Sequence, residues 1–462
     1  MLKLEELSRI FEAESPRFIR EWTRLLSFPS ISALPDHAAD CEACAAWLVA
    51  HLCGMGLESR TLATTGHPVV WAQTALRAGC PTVLFYGHYD VQPVDPLGAW
   101  QTPPFEPVWR GNRLYARGAE DNKGQLFYFL KALETLLKHD ALPVNVKILL
   151  DGEEENGSGG LLRLLPDLRE RVRADVLMVC DTGMVMSGAP TIIMGLRGLI
   201  HLTAVIRGAD YDLHSGVHGG VAPNSAQAMA QLAASLHDAR GRVAVPGFYD
   251  GVRPPSDEEH ALALAAGFNE ETYRQNTGVL PVGGEAGLAP VDRCGFYPTI
   301  EINGMHSGFG GRGSKTIIPA EALLKISARM VAGQSPEACL AAIEAHLRAH
   351  VPAGLKLEIT EKGVGGPGFR LDHRSLQVAA ARDVLREVSG REPVFLWEGA
   401  SIPIVAALGP MAGAGPLLVG FGREEDHIHA PNESFSLDQF RQGFLYAARI
   451  LTVCGAIGKN KG

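Results

Sequence analysis

The stretch Leu84-Phe85-Tyr86-Gly87-His88-Tyr89-Asp90 decides how the rest of the chain is read. The apolar run 83–86 has the composition of a buried strand, and it breaks at Gly87 just before His88 and Asp90. In an open α/β sheet, ligands bind beyond the carboxyl ends of the strands. Side chains two apart on a strand point the same way, so Asp90 can reach the His88 ring. A carboxylate that orients a histidine is the usual support of a metal-ligating imidazole. A buried histidine satisfied by hydrogen bonds at a strand end fits the same residues. The clusters on either side of the stretch bear on that choice.

Downstream, Arg117-Gly118-Ala119-Glu120-Asp121-Asn122-Lys123-Gly124 feeds a helical pattern over 125–138. Acids in that position cap a helix or belong to a site. The apolar run 144–150 ends in Asp151-Gly152-Glu153-Glu154-Glu155-Asn156-Gly157-Ser158, and the run 176–180 ends at Asp181. Adjacent carboxylates at a strand end are either a solvated loop or the means by which a metal site obtains one ligand and one base. Upstream, 4–26 and 38–54 read as helices, with Pro29 and Pro35 between them and Gly54 and Gly56 closing the second. Residues 69–72 read as a short strand, and 93–107 as a proline-rich loop without elements of its own. Strands alternating with helices predict a mainly parallel sheet sandwiched by helices, an α/β fold.

The texture changes after Gly198. Residues 199–206 alternate apolar and polar, as a half-buried strand does. A polar turn follows, Asp212-Leu213-His214-Ser215-Gly216, then a helix over 224–238 and an irregular, partly helical insertion over 254–297. Strands over 299–302 and 323–330, a helix over 336–349 and a strand over 355–360 complete the ferredoxin-like order of elements. Helical periodicity then returns after Asp372, with strands at 394–396 and 417–419, the run Arg423-Glu424-Glu425-Asp426-His427-Ile428-His429-Ala430-Pro431-Asn432-Glu433, and a closing helix over 435–452. The reading is therefore a first domain over 1–197 and 369–462, with a second, 198–368, spliced into it. A short basic tail carries Lys459 and Lys461.

The size and composition agree with two globular cores: 462 residues, 46% hydrophobic and 20% charged. A net charge of −9 and no basic patch interleaved with aromatics argue against nucleic acid and anionic membranes as partners. The first residues carry Glu5 and Glu6 where a signal peptide is apolar, and no apolar run approaches a membrane span. These features lead us to expect a cytoplasmic chain. Eight cysteines are scattered, and the Cys41-Glu42-Ala43-Cys44 pair falls in a helical pattern with no second pair at zinc-finger spacing. The run 308–316 imitates a phosphate-binding loop, but Ser314 intrudes between Gly313 and Lys315 and Pro319 blocks a following helix.

Taken together, these motifs resemble the M20 metallopeptidases, and within them the nonspecific dipeptidase and carnosinase branch. The resemblance rests on Gly87-His88-Tyr89-Asp90-Val91-Gln92-Pro93, on the 117–124 and 152–158 segments, on Asp212-Leu213-His214-Ser215-Gly216, on Gly399-Ala400-Ser401-Ile402-Pro403 and on His429-Ala430-Pro431-Asn432-Glu433. It implies a dinuclear metallohydrolase with two divalent ions about 3.5 Å apart. His88, Asp121 and Asp181 would hold one ion and Asp121, Glu155 and His429 the other, with Asp121 bridging. Zinc suits such mixed ligands best, and manganese or cobalt also fit. Two imidazoles and three carboxylates offset most of the charge of two divalent ions and leave positions for water and substrate. Glu154 would be the general base, supported by Asp90 behind His88, and the register anchored on Gly157-Ser158 leaves Glu153 as a solvated acid.

The same resemblance makes the inserted domain a lid and dimerisation domain. His214 would reach across a homodimer to the oxyanion, with His218 as its nearest rival. Arg329 would pair with the substrate's free carboxylate, assisted by Thr316 and Ser401. Asn122 matches a site of cis non-proline geometry. Gly399-Ala400 replaces a more usual double glycine, and Trp397 stands where an arginine is common. The implied activity is hydrolysis of dipeptides or short peptides with a free C-terminal carboxylate. The alternatives are an N-acyl amino acid amidohydrolase, which shares the metal motifs, and a non-catalytic binding protein on the same fold.

Overall fold

The computed structural model describes residues 2–457, so the basic tail with Lys459 and Lys461 lies outside the described residues. The chain divides into two compact units. The first comprises the residues up to Met194, Leu371–Leu396 and the chain from Ala407 on; the second comprises Gly195–Arg370 and Trp397–Ala406. The segment Trp397–Ala406 falls in the second unit rather than in the returning first domain. Arg197 fixes it through bonds to Ala400 O and Gly399 O, and Trp397 packs on Phe296 with ring centroids 4.9 Å apart.

The first unit is mixed α/β. Its sheet runs in the order Glu58–Leu62, Val69–Gln73, Asn145–Asp151, Thr82–His88, Val176–Val179, Pro416–Leu418, Thr191–Leu196. The central pairings are parallel, from Asn145–Asp151 across to Pro416–Leu418, and the flanking ones are antiparallel. The Asn145–Asp151 strand is buried throughout, and Thr82–His88 nearly so, as expected when helices cover both faces of a sheet. The Lys123–Lys138 helix covers the sheet, and Phe129 stacks on Phe85 with centroids 3.7 Å apart. The amphipathic helix Leu4–Leu26 buries Phe11, Phe18 and Trp22 against Phe440 and Phe444 of the closing helix.

Among the strands that escaped the sequence pattern, beside Glu58–Leu62 and Thr191–Leu196, are three of only three residues each. Just after the proline-rich loop, Val108–Arg110 and Arg113–Tyr115 form a small antiparallel sheet with Ser434–Ser436. The closing helix therefore starts at Leu437, not at 435. Segments of this length carry too few residues for a period to show. Cys41 and Cys44 are buried in the Ala38–Gly54 helix, where burial pushes the Cys41 thiol up to about 12, so a reactive thiolate is disfavoured. Among the described residues no helix is long and apolar enough to cross a membrane.

The second unit holds a four-stranded antiparallel sheet in the order Thr299–Ser307, Glu321–Met330, Gly198–Arg207, Lys356–Val364. Helices Ser225–Ser235 and Pro336–His350 lie in the two crossover connections of this βαββαβ sequence. Its core joins Ile200, Leu202, Met229, Leu232, Ile326 and Ile343. The insertion folds into three short helices, Asp257–Ala265, Glu270–Thr277 and Pro290–Phe296. The run 308–316 contains no helix and leads into the Ile317–Ile318 strand.

Candidate metal centre and active site

Adjacent parallel strands deliver the candidate residues of the first unit. In register, His88 at the end of Thr82–His88 faces Asp151 at the end of Asn145–Asp151, and Tyr86 faces Val179 two residues before Asp181. Asp121 comes from the turn that opens the Lys123–Lys138 helix, and His429 from the loop after Pro416–Leu418. His88 Nε2 lies 3.1 Å from Asp121 Oδ1 and 3.5 Å from Asp181 Oδ1. His429 Nε2 lies 2.8 Å from Asp121 Oδ2 and 3.3 Å from Glu155 Oε2. Two overlapping triads result, His88 with Asp121 and Asp181, and Asp121 with Glu155 and His429, each with its ligand atoms within 4.8 Å of one another. Asp121 belongs to both.

The three consecutive glutamates have three different surroundings. Glu153 is not a solvated acid. It is 7% exposed, and its carboxylate accepts the backbone N–H of His67 at 2.9 Å and that of Gly160. Glu155 reaches His429 and also accepts a bond from Gln92 Nε2 at 2.7 Å. Glu154 opens a short 3-10 turn and belongs to neither triad.

Several residues hold this arrangement. Asp90 is fully buried: its oxygens accept from the backbone N–H groups of Glu154 and Glu155 at 3.1 Å each and from Ser32 Oγ at 2.6 Å, and Oδ1 lies 3.3 Å from His88 Nδ1. His88 Nδ1 also meets the Asp90 main-chain carbonyl at 3.1 Å, so Asp90 orients the histidine through carbonyl and carboxylate while its carboxylate holds the glutamate turn. Asn122, joined to Asp121 by a cis peptide, donates to Asp181 Oδ1 at 2.8 Å and accepts from the backbone N–H of His88 at 3.3 Å. Glu433 is buried and accepts from Arg117 Nη1 and the backbone N–H groups of Gly118 and Glu120 at 2.9 Å each, and from that of Asp121 at 3.1 Å. It ties the His429 loop to the Asp121 turn. Arg117, Gln92 and Glu433 stand inside motifs quoted from the sequence, but only their folded partners reveal what they do.

The electrostatics reflect crowding of carboxylates. Burial and the Asp121 charge push Glu155 up to about 6, and burial with Asp181, Asp90 and Glu155 pushes Glu154 well above the usual range despite His88. Bonds to Asp121 and Glu155 hold His429 up at about 10. Burial opposes protonation of His88, but Asp181, Asp121 and Asp90 keep it well above its ordinary value. Imidazoles and carboxylates packed this closely repel their own kind unless a cation or protons sit among them. The donor set fits two divalent ions in number, type and charge.

The second unit places its candidates in two groups. His214 is exposed, and its Nδ1 accepts the Gly216 backbone N–H at 3.0 Å, which leaves Nε2 to carry the proton. It pairs with Ile317 beside the exposed Thr316, whose carbonyl accepts the Ser215 N–H at 3.0 Å. His218 lies at the end of the short Ser215–His218 helix. Arg329 is half-buried and donates to Ser401 Oγ at 2.7 Å.

The chain matches the model of peptidase family M20/M25/M40 over residues 84–453. It is 30% identical to a human Beta-Ala-His dipeptidase over 395 residues, which covers 83% of this chain and 77% of that one. It is 27% identical to the Cys-Gly metallodipeptidase dug1 of Schizosaccharomyces pombe, with 96% of each covered. Among solved structures, an M20 family metallo-carboxypeptidase from Sulfolobus solfataricus superposes with a TM-score of 0.83 at 29% identity, covering 95% of this chain and 99% of that one.

Proposed function

The chain belongs to peptidase family M20/M25/M40, and from that membership we propose that this metallopeptidase is a dinuclear dipeptidase acting on substrates with a free C-terminal carboxylate. The observation that carries the reading is the pair of triads sharing Asp121, with the Glu154 carboxylate beside them and outside both. His88, Asp121 and Asp181 would hold one divalent ion and Asp121, Glu155 and His429 the other. When bound, such ions acidify the attacking water and polarise the scissile carbonyl, and zinc suits the ligands first, with manganese or cobalt as alternatives.

The chain's own residues divide the remaining work. Glu154 takes a proton from the attacking water and gives it to the leaving amine as the C–N bond breaks, so the carboxylate is regenerated. Asp90 fixes the His88 ring and the Glu154–Glu155 backbone, so the base stays in place through the proton transfer. His214, with its proton on Nε2, donates to the developing oxyanion. Arg329 pairs with the C-terminal carboxylate, and Thr316 and Ser401 add hydrogen bonds to it. The inserted domain acts as lid and homodimer contact.

A free dipeptide and its N-acetyl form, assayed side by side with metal-loaded protein, test this reading. Cleavage of the free dipeptide alone is the expected outcome. Cleavage of N-acetyl amino acids with no action on dipeptides would replace it with an amidohydrolase.

A further inference from the structure

Among the described residues of the second unit, Arg197 and Arg329 are half-buried guanidinium groups with no carboxylate at ion-pair distance. Arg197 stands between the Thr191–Leu196 and Gly198–Arg207 strands, and Arg329 lies one residue before the end of Glu321–Met330, paired with Leu199 across the sheet. Both are half-buried. One serine links them: Arg329 Nη1 donates to Ser401 Oγ at 2.7 Å, and Ser401 Oγ donates to the Arg197 carbonyl. Arg197 Nε donates to Gly399 O at 3.1 Å. A Cβ at position 399 would lie 2.5 Å from Arg197 Nη2 and 2.9 Å from Cys294 Sγ, so only glycine lets the chain pass so close to the guanidinium.

Among the described residues neither guanidinium has a carboxylate at ion-pair distance, and no protein acceptor faces the Nη groups of Arg197. The acid that acts on Arg197 is the exposed Glu301, while Arg329 next to it acts against its charge. Burial alone pushes Arg329 below its ordinary range. Two like charges taken partly out of water are costly unless an anion joins them. A single carboxylate balances one of them and leaves the other.

We propose that Arg197 and Arg329 form a two-guanidinium site for a C-terminal residue bearing a second carboxylate, so that peptides ending in Asp or Glu are preferred. The proposal rests on the reading above in which Arg329 takes the substrate's terminal carboxylate. The two carboxylates of such a residue are only a few bonds apart, which suits two neighbouring guanidinium groups, one held by the Ser401 hydroxyl and the other by the Gly399 carbonyl. A planar fork of N–H donors on each accepts one carboxylate apiece.

The test compares kcat/KM of the full-length, metal-loaded protein for Ala-Glu and its neutral isostere Ala-Gln. The expected ratio is about tenfold or more in favour of Ala-Glu. Arg197→Gln should bring it to about one, and Arg197→Lys should restore part of it. Equal values in the wild type would overturn the proposal. So would Arg197→Gln lowering both substrates alike, which would mean that the two arginines share one carboxylate. If no dipeptide is cleaved, the peptidase reading fails on its own. Calorimetric binding of free L-glutamate against L-glutamine then decides the anion site, with glutamate binding that weakens in Arg197→Gln expected and equal binding contradicting it.

Discussion

Glu153, Glu154 and Glu155 are chemically identical and adjacent, yet the fold gives each different surroundings. Glu154→Gln is expected to keep its metal and lose about 10²–10⁴-fold in turnover, since that is what a general base contributes. Glu155→Gln should lose metal instead, measured by elemental analysis. Glu153→Ala should do neither directly but lower the melting temperature, because two backbone amides lose their buried acceptor. Retention of both metals in Glu155→Gln with loss of one in Glu154→Gln would reverse the register. Glu433→Gln sets an amide that carries donors of its own against four N–H donors. A drop of about 10–100-fold in metal affinity, titrated by calorimetry, is expected for a support of this kind. His88, Asp121, Glu155 and Asp181 stand out in the sequence because each follows an apolar run or precedes a helix, whereas His429 lies in a loop and is singled out only by the family resemblance of its motif. The role of Glu153 was not legible there, since only the positions of the His67 and Gly160 amides separate it from its neighbours. Glu433 was quoted with its motif, but nothing local announces a partner at Arg117.

At the scale of elements, the buried parallel strands were readable from their continuous apolar runs, while the three-residue strands around 108–115 and 434–436 were not. Those short strands matter, because they bring the chain before Asp121 alongside the chain after His429. The helices Leu4–Leu26, Ala38–Gly54 and Lys123–Lys138 meet at a buried lysine, which the sequence also hid. Lys131 Nζ contacts Glu21, Glu134 Oε2 at 2.9 Å and His51 Nε2 at 2.8 Å. Burial and Lys131 push His51 down to about 4, so the folded state binds fewer protons than the unfolded one. Its contribution is complete above about pH 6.5 and is lost as the pH falls toward 4. Against the effect of burial, Lys131 holds Glu134 down at about 2, so that contribution is complete above about pH 4.5 and fades toward 2. Lys131→Met should cost about 1.5–3 kcal/mol at neutral pH, because Glu21 and Glu134 lose a buried ammonium partner but keep Arg17, and Glu134 also keeps Lys138. Denaturant melts from pH 7.5 to 2.5 should show the gap between wild type and variant narrowing with acid, and a constant gap would contradict the assignment.

For the whole molecule, the expectation of a second domain spliced into the first was drawn from a change in strand texture near Gly198, a signal that survives because antiparallel half-buried strands alternate and buried parallel ones do not. The passage of Trp397–Ala406 into the second unit was illegible, since it depends on Arg197 far away in the chain. If the inserted domain serves a homodimer through His214, mixing inactive His214→Ala and Glu154→Gln subunits should recover activity, and a fully active monomer by sedimentation would contradict the shared site. The central claim is a dinuclear peptidase centre built on Asp121. It is tested most directly by metal content measured together with dipeptide hydrolysis before and after chelation. The account predicts about two divalent ions per chain and hydrolysis that disappears with chelator and returns with metal. Full dipeptide hydrolysis by metal-free protein, or no metal retained under any reconstitution, would contradict it.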